Sequence, residues 1–387
     1  MEPLPELTLD TTRLVLRPFS REDAPAVQAA CDDPETRRWL PLPDPYDRAA
    51  AEEWVNDGAQ RERRSGGGYT LAAADRETGR LVGSFSLHHV PRPGRAEIGY
   101  WVAPWARGRG YATEATRRIA AYGFEALLLP RIQIRAAADN LPSQWVAARA
   151  GFRAEGLLRG ADQHPSGRRD MVVYGRTAGD SGDPVLPFPL PVDVTDGVLA
   201  LRPLDGRDVE AVYLVTFDPV GQRRLPRPAP EISERAARSI ITTAGRTWLD
   251  GTMARFVAAQ AATGTVVGDV VVRPQWGGTQ QAMLGWSVLP EHRGRGYAKR
   301  TVRLAMRWAF GQAGYERLIA GVEPDNVASL RVAEAVGMRR EAVAAGALPP
   351  LVAGPRRDCV LFGVLRDEWT DGVGDGAAVA AGGRVDR

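Results

Sequence analysis

One hexapeptide occurs twice in this chain. Arg107-Gly108-Arg109-Gly110-Tyr111-Ala112 returns as Arg293-Gly294-Arg295-Gly296-Tyr297-Ala298, 186 positions later. The same offset carries Gly99 to Gly285, Asn140 to Asn326, Ser143 to Ser329 and Gly151 to Gly337. Upstream the offset is 185: Leu16-Arg17-Pro18 maps to Leu201-Arg202-Pro203, Asp23 to Asp208 and Gly83 to Gly268. One residue is therefore inserted between Gly268 and Gly285, and a strand-to-strand turn is the place that tolerates it. Chance supplies an isolated match but not a collinear series, so the chain is read as a duplicated domain. Its 387 residues are enough for two domains with a sizeable core each.

The boundary falls in Thr177-Ala178-Gly179-Asp180-Ser181-Gly182-Asp183-Pro184, followed by Pro187, Pro189 and Pro191. Gly, Asp and Pro at this density form neither a helix nor a central strand. The expected organisation is a first domain over residues 1–176 and a Pro/Gly-rich linker over 177–195. A second domain over 196–369 and a disordered tail over 370–387 follow.

Within one repeat, Arg13 to Pro18 alternates as a strand, and Ser20 opens a helix. Glu52 to Arg64 reads as a second helix. Tyr69–Ala74, Leu81–Leu87 and Ala96–Val102 read as three strands. Ala112–Ala126 is a helix, Ile132–Ala136 a strand, and Pro142–Ala150 a helix with Gly151 at its C-terminal cap. Asp170–Arg176 is the last strand. That order predicts an α+β fold, a mixed, mostly antiparallel sheet covered by helices.

The loop Trp105–Tyr111 joins a strand end to a helix start. The first amides of a helix lack internal partners, and the helix dipole adds partial positive charge there. Glycines let the backbone approach a ligand closely. Such a loop suits a pyrophosphate, with Arg107 and Arg109 beside it. Its context, Ile98-Gly99-Tyr100-Trp101-Val102-Ala103-Pro104-Trp105-Ala106 and then the hexapeptide, resembles the coenzyme-A loop of GNAT acetyltransferases. Their Gln/Arg-x-x-Gly-x-Gly/Ala signature is met by Arg107, Gly110 and Ala112. Thr12-Arg13-Leu14-Val15-Leu16-Arg17 and Asp139-Asn140-Leu141-Pro142-Ser143 are similar to the RimJ/RimL-like branch. The resemblance covers about 10–176 and 196–366. It implies acetyl-CoA as donor and no metal. In the first copy it places Trp101, Val102, Arg107, Gly108, Arg109, Gly110, Tyr111, Ala112, Asn140 and Ser143 at the coenzyme. In the second it places Val288, Arg293, Gly294, Arg295, Gly296, Ala298, Asn326 and Ser329 there.

Acetyl transfer to an amine requires removal of a proton from an ammonium, stabilisation of the developing oxyanion and protonation of the leaving thiolate. Glu97, on the strand leading to the loop, is a candidate base, acting directly or through water; a substrate-orienting or solvated carboxylate is the competing reading. Ser143 is a candidate acid at the sulfur and Asn140 a partner of the pantetheine arm, while both also suit a helix N-cap. Trp39, Tyr46, Trp54 and His88 are candidates for an acceptor wall, against simple core packing; His89 adjoins His88. In the second copy Met283 stands at the Glu97 position, and a methionine takes no proton. Asp269, at the Ser84 position, is a candidate replacement. The first domain is thus expected to be active and the second degenerate, structural or differently specific.

Composition narrows the field further. Fifty basic and 47 acidic residues leave a formal charge of +3, too small for a nucleic-acid reader. Two cysteines, Cys31 and Cys359, make neither a disulfide framework nor a zinc site. MEPLPELTLD lacks the basic and apolar regions of a signal peptide, and no apolar run reaches membrane-spanning length. The cytoplasm is the expected location. The acceptor is expected to be an α-amino group of a peptide or protein, including a peptide natural product. A small amine such as an antibiotic is the second reading, and a coenzyme-A-binding regulatory module without turnover the third. The tandem layout also allows an intramolecular pseudo-dimer.

Overall fold

A computed structural model describes residues 2–90, 96–165, 167–216, 218, 233–275, 278–350 and 354–371. The expected tail lies outside the described residues beyond Asp371. The chain divides into two compact units, Met1–Leu186 and Pro187–Arg387.

The first unit holds strands β1 (Leu9–Asp10), β2 (Leu14–Arg17), β3 (Tyr69–Asp75), β4 (Leu81–His88), β5 (Ala96–Val102), β6 (Arg131–Ala137), β7 (Arg153–His164) and β8 (Gly167–Thr177). They form one sheet in the order β1-β2-β3-β4-β5-β6-β8-β7. The second unit holds β9 (Leu199–Pro203), β10 (Ala254–Gln260), β11 (Val266–Gln275), β12 (Gln281–Val288), β13 (Arg317–Val322), β14 (Arg339–Leu348) and β15 (Arg357–Leu365). Their order, β9-β10-β11-β12-β13-β15-β14, repeats the first from β2 onward. Each sheet is antiparallel except at one junction, β5 with β6 and β12 with β13. The α+β reading therefore holds for both copies. His88 faces Glu97 across β4 and β5 as Arg273 faces Met283 across β11 and β12. The inserted residue thus lies in the hairpin connection between Arg273 and Met283.

Side chains alternate along each strand, so each sheet has two faces. In the first unit Tyr69, Leu71, Phe85, Leu87, Ile98 and Ile132 share one face and are buried. The helix Tyr111–Glu125 covers them. Gly123 permits its close approach: a methyl there would stand 2.7 Å from Ile132 Cδ1. The other face is covered over β2–β4 by the helices Ala24–Cys31 and Arg48–Asn56, through Phe19, Val27, Cys31, Tyr46, Val55 and Leu81. A fork between Arg17 and Asp23, at 2.7 and 2.9 Å, fixes the first strand to the helix that follows. Arg202 and Asp208 repeat it at 2.8 and 2.7 Å, which explains why both pairs occur at one offset.

The core of the second unit is built on Phe188, Trp248, Phe256 and Trp308, with Phe256 in edge contact at 5.0 Å from Trp248 and 4.8 Å from Trp308. Both indoles donate to the incoming chain, Trp248 to the Phe188 carbonyl and Trp308 to that of Pro189. Pro187–Val194 therefore packs into the second unit instead of hanging free of it.

Three elements depart from expectation. The helix expected over Glu52–Arg64 is broken into Arg48–Asn56, a short 3-10 turn at Gly58–Gln60, and Arg61–Arg64. The Trp54 ring occupies the space a Cβ at Gly58 would need, 2.7 Å from Cε3, and the helix stops there. The helix Pro34–Trp39 and the long strand β7 had no clear periodic signal.

Candidate active site

In each unit a short 3-10 turn leads to the hexapeptide. Gly108 and Gly110 have φ of 74° and 79°, and Gly294 and Gly296 have 74° and 75°. Those are left-handed conformations that favour glycine. Helical pairing begins with Glu114 N–H on the Gly110 carbonyl, and with Arg300 N–H on that of Gly296. The amides of Tyr111–Thr113 and of Tyr297–Lys299 are left for a ligand. A methyl at Gly108, Gly294 or Gly296 would meet nothing within 4 Å, so the space before both loops is open. Both loops fit a pyrophosphate on this ground.

The arginines that open the two loops are held by the protein. Arg107 donates to Asp33 at 2.6 Å, to Thr36 Oγ1 at 2.7 Å and to the Val102 carbonyl at 3.3 Å. Arg293 donates to Asp218 at 2.6 Å and to the Val288 carbonyl at 3.2 Å. Burial opposes ionisation of Asp33, but the Arg107 guanidinium and the Thr36 N–H outweigh it and hold the carboxyl below its ordinary range. Arg109 remains exposed. A second brace backs the first loop: Arg13 donates to Glu114 at 2.7 Å and to the Arg109 carbonyl at 2.9 Å, and its guanidinium covers the Tyr111 ring. In the second unit Asp196 accepts from Arg300 at 2.7 Å. There the acidic and basic partners have exchanged elements.

Beside each loop the sheet opens. β5 pairs with β6 only at Ala96 and Glu97, and Ile98–Val102 pairs with β4 alone. β12 likewise pairs with β13 only at Gln281–Met283. An unpaired strand edge offers amides and carbonyls to an extended ligand, which suits a pantetheine arm with its own amides. Trp101, Val102 and Val288 stand on those open edges.

Asn140 caps the helix Leu141–Arg149, accepting from the Ser143 N–H at 3.2 Å, and Asn326 accepts from Ser329 N–H at 3.3 Å. Ser143 Oγ also lies 2.9 Å from the Tyr100 hydroxyl. Burial pushes the Tyr100 phenol up against the opposing pull of Ser143, so it stays protonated. If Tyr100 donates to Ser143 Oγ, the serine hydrogen is free to point away from it. Tyr100 was not singled out from sequence, and only its contact with Ser143, 43 positions away, marks it. Trp286 occupies its place in the second unit and offers a donor only.

Glu97 lies on the opposite face. Arg135 donates to both its oxygens at 3.1 and 2.9 Å, and Gln133 donates to Oε2 at 3.0 Å. His88 is its cross-strand neighbour and pairs through Nδ1 with Glu62. Trp54, like Trp101, packs against the buried cluster, with its Nε1 buried and unpartnered among the described residues. Trp39 donates to Glu35 at 2.8 Å, and the Arg38 and Arg169 guanidinium groups stand over its ring at 4.6 and 5.7 Å. Tyr46 is 5% exposed within the hydrophobic cluster, its hydroxyl against Cys31, so the structure places it in the core and not on an open wall. Burial raises the Cys31 thiol to about 12, which removes it as a nucleophile.

The second unit carries different residues on the sheet face that holds Glu97 in the first. Asp269 is 8% exposed; Arg255 Nε donates to it at 2.7 Å, and the Ser287 hydroxyl donates to its other oxygen. Met283, Ile319 and Gly321 stand where Glu97, Gln133 and Arg135 stand in the first. Among the described residues no His, Cys, Asp and Glu cluster could hold a metal ion, and no helix is long and apolar enough to cross a membrane.

The family model described as "Acetyltransferase (GNAT) domain" matches this chain twice, over residues 13–153 and 199–339. YoaA of Bacillus subtilis, described as an uncharacterized N-acetyltransferase, is 32% identical over 154 residues, 39% of this chain and 85% of YoaA. The ribosomal-protein-serine acetyltransferase of Escherichia coli is 32% identical over 97 residues, 25% of this chain and 54% of its own. Among solved structures, Mycobacterium smegmatis RimJ in complex with CoA-disulfide is 25% identical, covers 46% of this chain and 87% of its own, and gives a TM-score of 0.41. Both copies of the glycine loop fall inside the matched regions, and those regions take in most of the chain. The chain belongs to the GNAT family of acetyl-CoA-dependent N-acetyltransferases.

Proposed function

We propose that the first unit acetylates the α-amino group of a peptide or protein, and that the second unit keeps a coenzyme-A site without transfer chemistry. The observation that carries the acceptor reading is the half of the sheet that the helices leave open. By register, Glu97, Gln133, Arg135, Val173 and Met171 share one face of β5, β6 and β8. Arg135 is exposed and Val173 and Met171 are half-buried, so this strip is accessible. Arg169 bounds its far end, donating to the Arg38 carbonyl at 2.7 Å beside Trp39. An open strip with charged and apolar positions suits an extended chain better than a closed pocket would. The name of the Escherichia coli relative, a ribosomal-protein-serine acetyltransferase, points the same way.

Acetyl-CoA supplies an activated acyl group when it binds. The loop amides and the helix N-terminus hold its pyrophosphate, and the open edge of β5 aligns its pantetheine arm. Amides on that edge near Val102 stabilise the oxyanion. Ser143, with Tyr100 behind it, protonates the departing sulfur. Glu97, paired with Arg135, orients the incoming ammonium.

A thiol-release assay with acetyl-CoA tests this reading against free-amine peptides, aminoglycosides and polyamines. Release with peptides alone is expected. Release with small amines alone would replace the acceptor class, and release with no amine would leave a coenzyme-A-binding module.

A further inference from the structure

We propose that the His88 imidazole, positioned by Glu62, accepts the proton that the amine must lose in the first unit. The inference rests on the transferase reading above and names a group which that reading leaves open.

His88 ends β4, and its Nδ1 lies 2.5 Å from Glu62 Oε2. A carboxylate on Nδ1 fixes the hydrogen there and leaves the lone pair on Nε2. The hydrogen bond with His88, ahead of the opposing effect of burial, holds the Glu62 carboxyl below its ordinary range. Nε2 points across the sheet toward Gly99: a methyl there would stand 3.5 Å from it. Gly99 lies on β5 between Glu97 and Trp101, just past the last residue that pairs with β6. The missing side chain at Gly99 leaves room for an amine between Nε2 and the open strand edge.

The alternative base is less free. Both Glu97 oxygens already accept from Arg135, and one also accepts from Gln133. The charged and titratable groups around His88 are Glu62 from the helix Arg61–Arg64, His89 beside it in the chain, and the Glu97–Arg135 pair across β5 and β6. The second unit loses the whole arrangement. Arg273 stands at the His88 position opposite Met283, the repeat offset puts Thr247 at the Glu62 position, and arginine accepts no proton.

The proton balance closes with the groups present. His88 Nε2 takes one proton from the ammonium and passes it to solvent. The neutral amine then forms the C–N bond as the C–S bond breaks. The second nitrogen proton passes to solvent as Ser143 delivers its own proton to the thiolate, and the Ser143 oxygen regains one from solvent. The products are an amide, a free thiol and one proton.

His88→Gln should lower kcat/KM for the amine by about 100-fold, a usual contribution for general base catalysis. It should also move the acidic limb of the pH profile up to the amine's own pKa of about 8, and leave KM for acetyl-CoA unchanged. Glu62→Gln should lower kcat/KM less and keep a displaced limb. Gly99→Ala, which leaves His88 in place, should raise KM for the amine. A His88→Gln enzyme whose acidic limb stays where the wild-type limb lies overturns the proposal. A second readout does not depend on turnover: nitrogen-15 NMR of the full chain, which has only four histidines, should show His88 as the Nδ1–H tautomer. An Nε2–H tautomer overturns it. Wild-type chain that releases no thiol with any amine defeats the transferase reading instead, and the tautomer measurement still decides the orientation of His88.

Discussion

Arg107 Nη2 donates to Asp33 Oδ2 at 2.6 Å, and Arg293 Nη2 donates to Asp218 Oδ2 at the same distance. In each unit the arginine that begins the glycine loop is latched to an aspartate that follows the first helix. The arginine thus braces the loop and leaves the backbone amides for the proposed coenzyme. Asp33→Ala should raise KM for acetyl-CoA about tenfold, since a hydrogen bond to a charged group contributes about 1.5–3 kcal/mol. The pH dependence has a definite sign. The folded-state pKa of Asp33 is lowered, so the latch is intact above the ordinary carboxyl range and is lost as pH falls through the lowered value. Coenzyme affinity should stay level between about pH 5 and 8 and weaken only in stronger acid.

The Tyr100–Ser143 pair carries the second prediction. Ser143→Ala and Tyr100→Phe should each lower kcat, the serine change by about 100-fold and the tyrosine change by less. KM for acetyl-CoA should hold steady in the tyrosine variant. Steady-state kinetics with a peptide acceptor checks this; unchanged kcat in both variants would remove the pair from the chemistry. Raised by burial, the Tyr100 phenol should contribute no alkaline limb near neutrality.

Asp269 separates structure from catalysis in the second unit. Its carboxylate and the Arg255 guanidinium are 12% and 16% exposed. Removing one partner of such a pair strands the other, at a cost of about 3–5 kcal/mol. Asp269→Ala should lower the melting temperature of the second unit and leave turnover by the first unchanged. A loss of turnover without a loss of stability would make Asp269 a base after all.

The coenzyme site proposed for each loop predicts two sites per chain. Isothermal titration calorimetry with coenzyme A should give two sites, and one in each of Gly108→Trp and Gly294→Trp. Both positions face open space, so the new ring has room, while the left-handed backbone adds strain of about 1–2 kcal/mol. A single site in the wild-type chain would contradict the account of the second unit.

The repeat, the glycine loop and its helix were legible in the sequence because each is local. The loop needs two left-handed residues at fixed spacing, and glycine declares them. Strand β7 was not legible. Arg153–His164 includes Gly156 and Gly160 and is exposed along almost its whole length, so its extended form comes from pairing with β8 and from no apolar alternation. The site was legible in part for the same reason. Asn140 and Ser143 lie within one turn of each other, but Asp33 and Arg107 are 74 positions apart, and Glu62 and His88 are 26 apart. Tyr46 shows the converse error. Its aromatic character suited a substrate wall, and only the packing around its hydroxyl puts it in the core.

Transfer is proposed to belong to the first unit alone. Thiol release from acetyl-CoA with a peptide acceptor, measured in Gly108→Trp and Gly294→Trp side by side, tests it most directly. Gly108→Trp should abolish turnover, and Gly294→Trp should leave it near the wild-type rate. Turnover that survives Gly108→Trp and disappears in Gly294→Trp would contradict it.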